Sequence, residues 1–225
     1  MDNLIRKTIQ GFISLLAVMG ILIFLPAWTI YYVEAWIYLL AFAASTILIT
    51  IYLFKKDPKL LERRVNAGSA AEKENIQKAI QAVAGLLFCL IYIVAGLDYR
   101  FHWSNIPTYI CILANLFVVS GFFIVFLVFK ENTYTSATIE VGKGQKVIST
   151  GMYAKVRHPM YSGAILMLIF SCLALGSYWA LLCVAALIFA IVIRLIHEEK
   201  FLSENLPGYD EYCKKVRYRL VPFIW

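Results

Sequence analysis

Charge is what this 225-residue sequence is short of. Only 16% of its residues are Asp, Glu, Lys or Arg, against 61% hydrophobic, where a soluble domain carries about a quarter charged. So few charges cannot cover so much apolar surface in water, which excludes an ordinary soluble domain. Cysteine is also sparse. Cys89, Cys111, Cys172, Cys183 and Cys213 make an odd set with no CxxC and no Cys/His ligand spacing, so neither a disulfide framework nor a metal site is implied. Four of the five lie inside apolar runs, where cysteine acts as a small hydrophobe. No Ser/His/Asp or Cys/His constellation suggests nucleophilic catalysis. The net charge of +7 raises the question of nucleic acid. The basic residues, however, fall in short segments between apolar runs rather than in a stripe on a soluble domain, so no nucleic-acid partner is expected.

What the sequence does have is long apolar runs, the pattern of an all-α polytopic membrane protein. The first run, Ile9 to Leu25, follows Arg6 and Lys7. No small-x-small cleavage site closes it and another span follows, so an uncleaved helix is expected. Further spans are expected at Ala35 to Phe54, Ala79 to Leu97 and Thr108 to Phe129. Between the second and third, residues 55–78 form a polar segment outside the membrane. Pro58 there starts a helix whose Leu60, Leu61 and Val65 are expected to rest on the bilayer surface. Of the 21 Lys and Arg, 20 lie in the N-terminus and in residues 55–78, 130–158 and 194–225, leaving only Arg100 on the other side. The positive-inside rule then puts both termini in the cytosol.

After Pro159 the runs shorten. Met160 to Leu175 and Tyr178 to Ile193 flank a Gly176-Ser177 turn, and each arm reaches about 24 Å, short of the roughly 30 Å hydrocarbon core. A membrane hairpin over 159–196 follows, and its open end brings together residues some thirty-five positions apart. At the start of the first arm stand Arg157-His158-Pro159-Met160-Tyr161-Ser162-Gly163; at the end of the second stand Glu198-Glu199. A plain account exists for each cluster: positive-inside charges before a helix with proline in its first turn, and a solvated helix end with Arg194 paired to Glu198 at i,i+4. Taken together they suit a zwitterionic amino-acid ligand. The glutamates accept from an ammonium, Arg157 or His158 donates to a carboxylate, and Tyr153 and Tyr161 offer hydroxyls or a face for a purine.

The string RHPMYSG followed by Glu198-Glu199 resembles the RHPxYxG…EE signature of the integral membrane methyltransferases typified by isoprenylcysteine carboxyl methyltransferase and phospholipid N-methyltransferase. The similarity extends to Gly151-Met152-Tyr153, Leu206-Pro207-Gly208-Tyr209 and Val216-Arg217-Tyr218-Arg219-Leu220-Val221-Pro222. It is strong over residues 132–225 and weaker over the N-terminal spans, where Asp57-Pro58-Lys59-Leu60-Leu61-Glu62-Arg63-Arg64 also looks familiar. It implies S-adenosyl-L-methionine as cofactor, held by Tyr153, Arg157, His158, Tyr161, Gly163, Glu198 and Glu199. Met152 stands where many relatives carry proline. The soluble-methyltransferase signature is absent, and Gly142-Lys143-Gly144 reads as a turn.

The implied division is an N-terminal transmembrane part, 1–130, and a C-terminal catalytic region, 131–225. The implied reaction is methylation of a lipophilic acceptor, most like carboxyl O-methylation of an isoprenylcysteine, with a phospholipid amine or a thiol as alternatives. Arg217 or Arg219 would orient an anionic acceptor, although binding of membrane lipid headgroups accounts equally for the basic tail. Glu198 joins His158 and Glu199 as a proton acceptor if the acceptor is an amine or a thiol. The acceptor would enter sideways from the bilayer, between the hairpin and the fourth span. A more distant alternative is an NADPH-dependent membrane sterol reductase, since those enzymes share a related C-terminal architecture.

Overall fold

A computed structural model describes residues 2–65, 72, 75–135, 139, 141 and 144–225. Its elements are all helical among the described residues: α1 (Asp2–Ala27), α2 (Val33–Lys56), α3 (Pro58–Val65), α4 (Asn75–Phe101), α5 (Thr108–Glu131), a 3-10 turn (Gly151–Ala154), α6 (Pro159–Ala174), α7 (Ala180–Asn205) and α8 (Tyr209–Lys215). Five of them, α1, α2, α4, α5 and α7, are long and apolar enough to cross a membrane. The protein is an integral, multi-pass membrane protein. Leu40, Leu48, Leu116 and Phe189 point outward, 63–72% exposed, which suits lipid as solvent and would be costly in water. Gly142 and Lys143, read as part of a turn, lie outside the described residues; Gly144 has the positive φ of such a turn.

Two close crossings hold the bundle. A Cβ on Gly163 of α6 would meet the Gly121 carbonyl oxygen of α5 at 2.9 Å, and one on Gly121 would meet the Gly163 carbonyl oxygen at 2.7 Å. The backbones of α5 and α6 thus touch, the small-residue packing that lipid favours because burial of apolar surface gains nothing there. α1 and α4 meet in the same way at Gly96, where a Cβ would lie 2.4 Å from the Ile23 carbonyl oxygen. Between them runs a buried polar chain: Tyr38 and Tyr92 hydroxyls 2.9 Å apart, with Ser171 Oγ 3.1 Å from Tyr38. Each hydroxyl is satisfied inside the bundle, as an apolar solvent requires.

The far end is closed by Asp98, 1% exposed. It accepts from the Ser104 amide and hydroxyl, both at 2.7 Å, and from the Ser177 hydroxyl. The turn between α6 and α7, with Gly176 at φ 70°, is thereby pinned to the end of α4. Tyr32 donates to the Leu175 carbonyl beside it.

Two expectations are corrected. The second arm of the hairpin is not short: the helix runs through Arg194, Glu198 and Glu199, as their place after the apolar run implied, and on to Asn205, because these are good helix formers and charge alone does not stop a helix. At 26 residues it is roughly 39 Å long, so only α6, at 16 residues, is short. Leu60 and Leu61 of α3 do not rest on a bilayer surface. They are 0% and 4% exposed and pack with Leu53 and Phe129 inside the protein. Asp57 caps α3 by accepting from the Leu60 amide at 3.0 Å. Thr133 donates to Asp57, and Arg63 donates to the Thr133 carbonyl. These ties fold α3 beneath α2 and α5.

Gly163→Val is expected to force α6 from α5 and cost about 1–3 kcal/mol. A thermal unfolding midpoint in detergent below that of the wild type, with the same shortfall for Gly121→Val, is the measurement that checks it.

Candidate functional site at the open end of α6 and α7

Proline at the first position of α6 fixes the helix start, and His158 stands just before it. The chain after α8 returns to this point. Tyr218 and Arg219 carbonyls accept from the Arg157 and His158 amides, both at 2.9 Å, and the Ser162 hydroxyl donates to the Leu220 carbonyl at 2.6 Å. Residues 217–220 are thus laced along the α6 entrance. α7, coming back from the turn, lays its last three turns against the same place.

Glu198 and Glu199 are neighbours on α7, about 100° apart around the helix axis, and they do different things. Glu199 is a hub. Its Oε1 lies 3.0 Å from Arg157 Nη1 and 3.3 Å from His158 Nε2, and its Oε2 accepts from Arg219 Nε at 2.7 Å. Arg219 also lies over the Trp225 ring, 5.1 Å from its centroid. Glu198 instead accepts from the Tyr161 hydroxyl at 2.7 Å through Oε2, leaving Oε1 without a partner among the described residues. Behind Tyr161 stands Arg194, which donates to the Tyr161 oxygen at 3.2 Å, to Gln77 at 3.2 Å and to Glu72 at 2.6 Å. The cation costly to place in the membrane is therefore neutralised by the segment leading into α4.

A cleft opens beside this network, with about 840 Å³ of open space including its mouth. Tyr153, Arg157, His158, Tyr161 and Glu198 line it, together with Asn132, Leu202, Leu206, Tyr209 and Tyr212. Two buried polar atoms there, Arg157 Nε and the Tyr209 hydroxyl, have no hydrogen-bond partner among the described residues. Buried polar atoms are normally paired, which sets these two apart. Tyr153 is held in place by Asn132 Nδ2 at 3.0 Å on its hydroxyl and by the Tyr212 hydroxyl at 2.8 Å on its carbonyl. Burial pushes the Tyr153 hydroxyl up to about 12, and burial followed by neighbouring acidic groups pushes Tyr209 and Tyr212 higher still. All three remain protonated donors at neutral pH.

Of the residues singled out from sequence, Tyr153, Arg157, His158, Tyr161 and Glu198 share the cleft. Glu199 and Arg219 pair behind it. Gly163 lies in the α5–α6 crossing. Arg217 is exposed, and its carbonyl accepts from Arg157 Nη2 at 3.2 Å. Tyr209, Tyr212 and Asn132 were not singled out as site residues. Tyr209 carried a signal, standing in the Leu206-Pro207-Gly208-Tyr209 string that belongs to the resemblance, whereas Asn132 carried none.

A family model described as phospholipid methyltransferase matches residues 109–207, a little under half of the chain, from the start of α5 to just past α7. Among curated proteins, the Delta(14)-sterol reductase of Mus musculus is 30% identical over 93 residues, which is 39% of this chain and 22% of that protein. The chain spans about a fifth of the length of that relative.

Removing the Glu199 carboxylate leaves Arg157, His158 and Arg219 facing one another. Glu199→Ala is expected to release residues 216–221 from α6, seen as faster amide hydrogen exchange at Arg157 and His158 and earlier proteolysis of the tail. Arg217→Ala, at an exposed side chain, is expected to change neither by more than about 0.5 kcal/mol.

Proposed function

We propose that this chain is a membrane methyltransferase that uses S-adenosyl-L-methionine and acts on a lipid. The observation that carries the proposal is the Glu198 carboxylate, which lines the cleft with one oxygen lacking a hydrogen-bond partner among the described residues, beside Arg157 and Tyr209, whose Nε and Oη are likewise without one among them. That donor set fits the cofactor: an anionic acceptor for the methionine ammonium, donors for its carboxylate, and tyrosine faces for its adenine. The match to the phospholipid methyltransferase model runs through Arg157 and Glu198 and ends just before Tyr209.

When bound, S-adenosyl-L-methionine supplies a methyl group already activated on sulfonium. The protein's part is to hold, orient and keep dry. Glu198 binds the ammonium, and Tyr161, fixed by Arg194, orients Glu198. Glu199 neutralises Arg157 and Arg219 and holds the His158 ring, and so keeps the wall in one arrangement. Of the two tail arginines assigned from sequence to orient an anionic acceptor, Arg219 is paired with Glu199 and Arg217 is exposed. The family model favours a phospholipid amine as acceptor over an isoprenylcysteine carboxylate. An amine must shed a proton before it attacks, and His158, which lines the cleft and is held against Glu199, is the side chain to receive it. Residues 131–225 would then form the cofactor region and 1–130 the acceptor-binding spans. The end bearing 20 of the 21 Lys and Arg would face the cytosol.

The similarity to a sterol reductase favours a second reading, an NADPH-dependent reduction. A pyrophosphate would there have to approach Glu198, while Arg157 and Arg219 are already paired with Glu199.

Titration of the purified chain in lipid nanodiscs separates the two. Saturable binding of S-adenosylhomocysteine is expected, abolished by Glu198→Ala and weakened about ten-fold by Tyr209→Phe, the loss of one hydrogen bond. Binding of NADPH in place of S-adenosylhomocysteine would reverse the assignment.

A further inference from the structure

Residues 221–225 form a tight hook. The Trp225 backbone oxygen accepts from the Arg219, Leu220 and Val221 amides at 2.8, 2.9 and 3.2 Å, and the Trp225 amide donates back to the Val221 carbonyl at 3.2 Å. The Arg219 guanidinium lies over the Trp225 ring. So closed a loop holds Phe223 at φ 67°, a left-handed backbone that bulky residues rarely adopt and that persists only where the surroundings impose it. The strained turn directs apolar side chains outward. Phe223 is 87% exposed and Ile224 79%, although the Phe223 ring lies 5.4 Å from that of Tyr218. Lys214 and Lys215, at the end of α8, and Arg217 after it are exposed as well.

The level of the hook in the membrane follows from α6. The far turn of that helix is flanked by Trp103, Tyr178 and Trp179, all half-exposed, aromatic side chains of the kind that sit at the headgroup level. From there the 16 residues of α6 reach back about 24 Å across a hydrocarbon core of roughly 30 Å. The start of α6 at Pro159 therefore lies at or inside the opposite edge of the hydrocarbon. The hook cannot stand clear of that level. It begins directly after Leu220, whose carbonyl accepts from Ser162 in the first turn of α6 at 2.6 Å, and it closes back on Arg219.

We propose that this hook is a wedge seated in the acyl–headgroup boundary of an anionic bilayer, with Phe223 and Ile224 among the upper acyl carbons and Lys214, Lys215 and Arg217 among the headgroups. Exposed apolar side chains beside exposed cations are the composition that binds such a surface, through buried area and through attraction to anionic lipid. In water the same apolar side chains would stay uncovered at a cost proportional to their area. The wedge also braces the candidate site. Just before it, the Tyr218 and Arg219 carbonyls accept from the Arg157 and His158 amides, and Arg219 pairs with Glu199. Lipid that grips the hook thereby holds that wall of the cleft against α6, whichever reaction the cleft performs.

The test uses the full chain in phosphatidylcholine nanodiscs, with and without phosphatidylglycerol. Phe223→p-benzoylphenylalanine is expected to form lipid adducts on irradiation, with a yield about two- to three-fold higher when phosphatidylglycerol is present. Lys214→Gln/Lys215→Gln should remove that rise. Phe223→Asp is expected to speed amide hydrogen exchange at Arg157 and His158 about ten-fold, since a charge drives the hook out of lipid and frees the carbonyls to which those amides donate. Phe223→Leu should exchange as the wild type does. Adducts formed with protein and not with lipid would overturn the proposal, by making the hook a contact with a second copy of the chain. So would a yield indifferent to phosphatidylglycerol, or wild-type exchange in Phe223→Asp. Equal acceleration in Phe223→Leu would do so too, because the ring would then act by packing on Tyr218 and not by entering lipid.

Discussion

The organisation of the charged end depends on a single carboxylate. Glu199 gathers Arg157 and His158 from the entrance of α6 and Arg219 from the returning tail, an imidazole and two cations that would repel each other without it. Each contact is charge-assisted and largely shielded from water, where such bonds are strong and where losing one partner costs far more than the pair gains. Because Glu199 absorbs that positive charge, Glu198 one position earlier is left to a neutral hydroxyl. One glutamate organises the wall and the other lines the cleft. Adjacent positions on a helix point about 100° apart, so an EE pair is a compact way to obtain both.

The helices of this protein were largely legible because lipid demands long uninterrupted apolar runs and the runs are in plain view. Ala35 to Phe54 and Thr108 to Phe129 fall inside α2 and α5 with only the ends extended. What could not be read was how far polar residues continue or redirect a helix. The stretch from Arg194 to Asn205 looks like a segment leaving the membrane, yet it is helical to its end because its residues favour helix and Arg194 finds Glu72 and Gln77. Likewise Leu60 and Leu61 give α3 an amphipathic pattern that suits a bilayer surface as well as a protein interior. Only the Asp57 cap and the Thr133 ties, which span more than seventy residues, decide between them.

The site divides in the same way. The string from Arg157 to Gly163 and the glutamate pair stood out by residue type and spacing, and five of the residues named from sequence line one cleft. Gly163 belongs to the motif for a different reason, since it lets two helix backbones touch and so fixes the depth at which Tyr161 meets Glu198. Arg219 acts through Glu199. Tyr209 and Asn132 became visible only once the tail and the segment after α5 had been folded onto α6. No local spacing encodes those contacts.

The lacing of residues 217–220 to the start of α6 has a consequence for how the protein is made. Every span can enter the bilayer in order as it emerges from the ribosome. The wall formed by Arg157, His158, Glu199 and Arg219 cannot close until the last span is inserted and the segment after α8 has been released to fold back. During synthesis the nascent chain therefore passes through a stage in which the membrane bundle exists and the cleft does not.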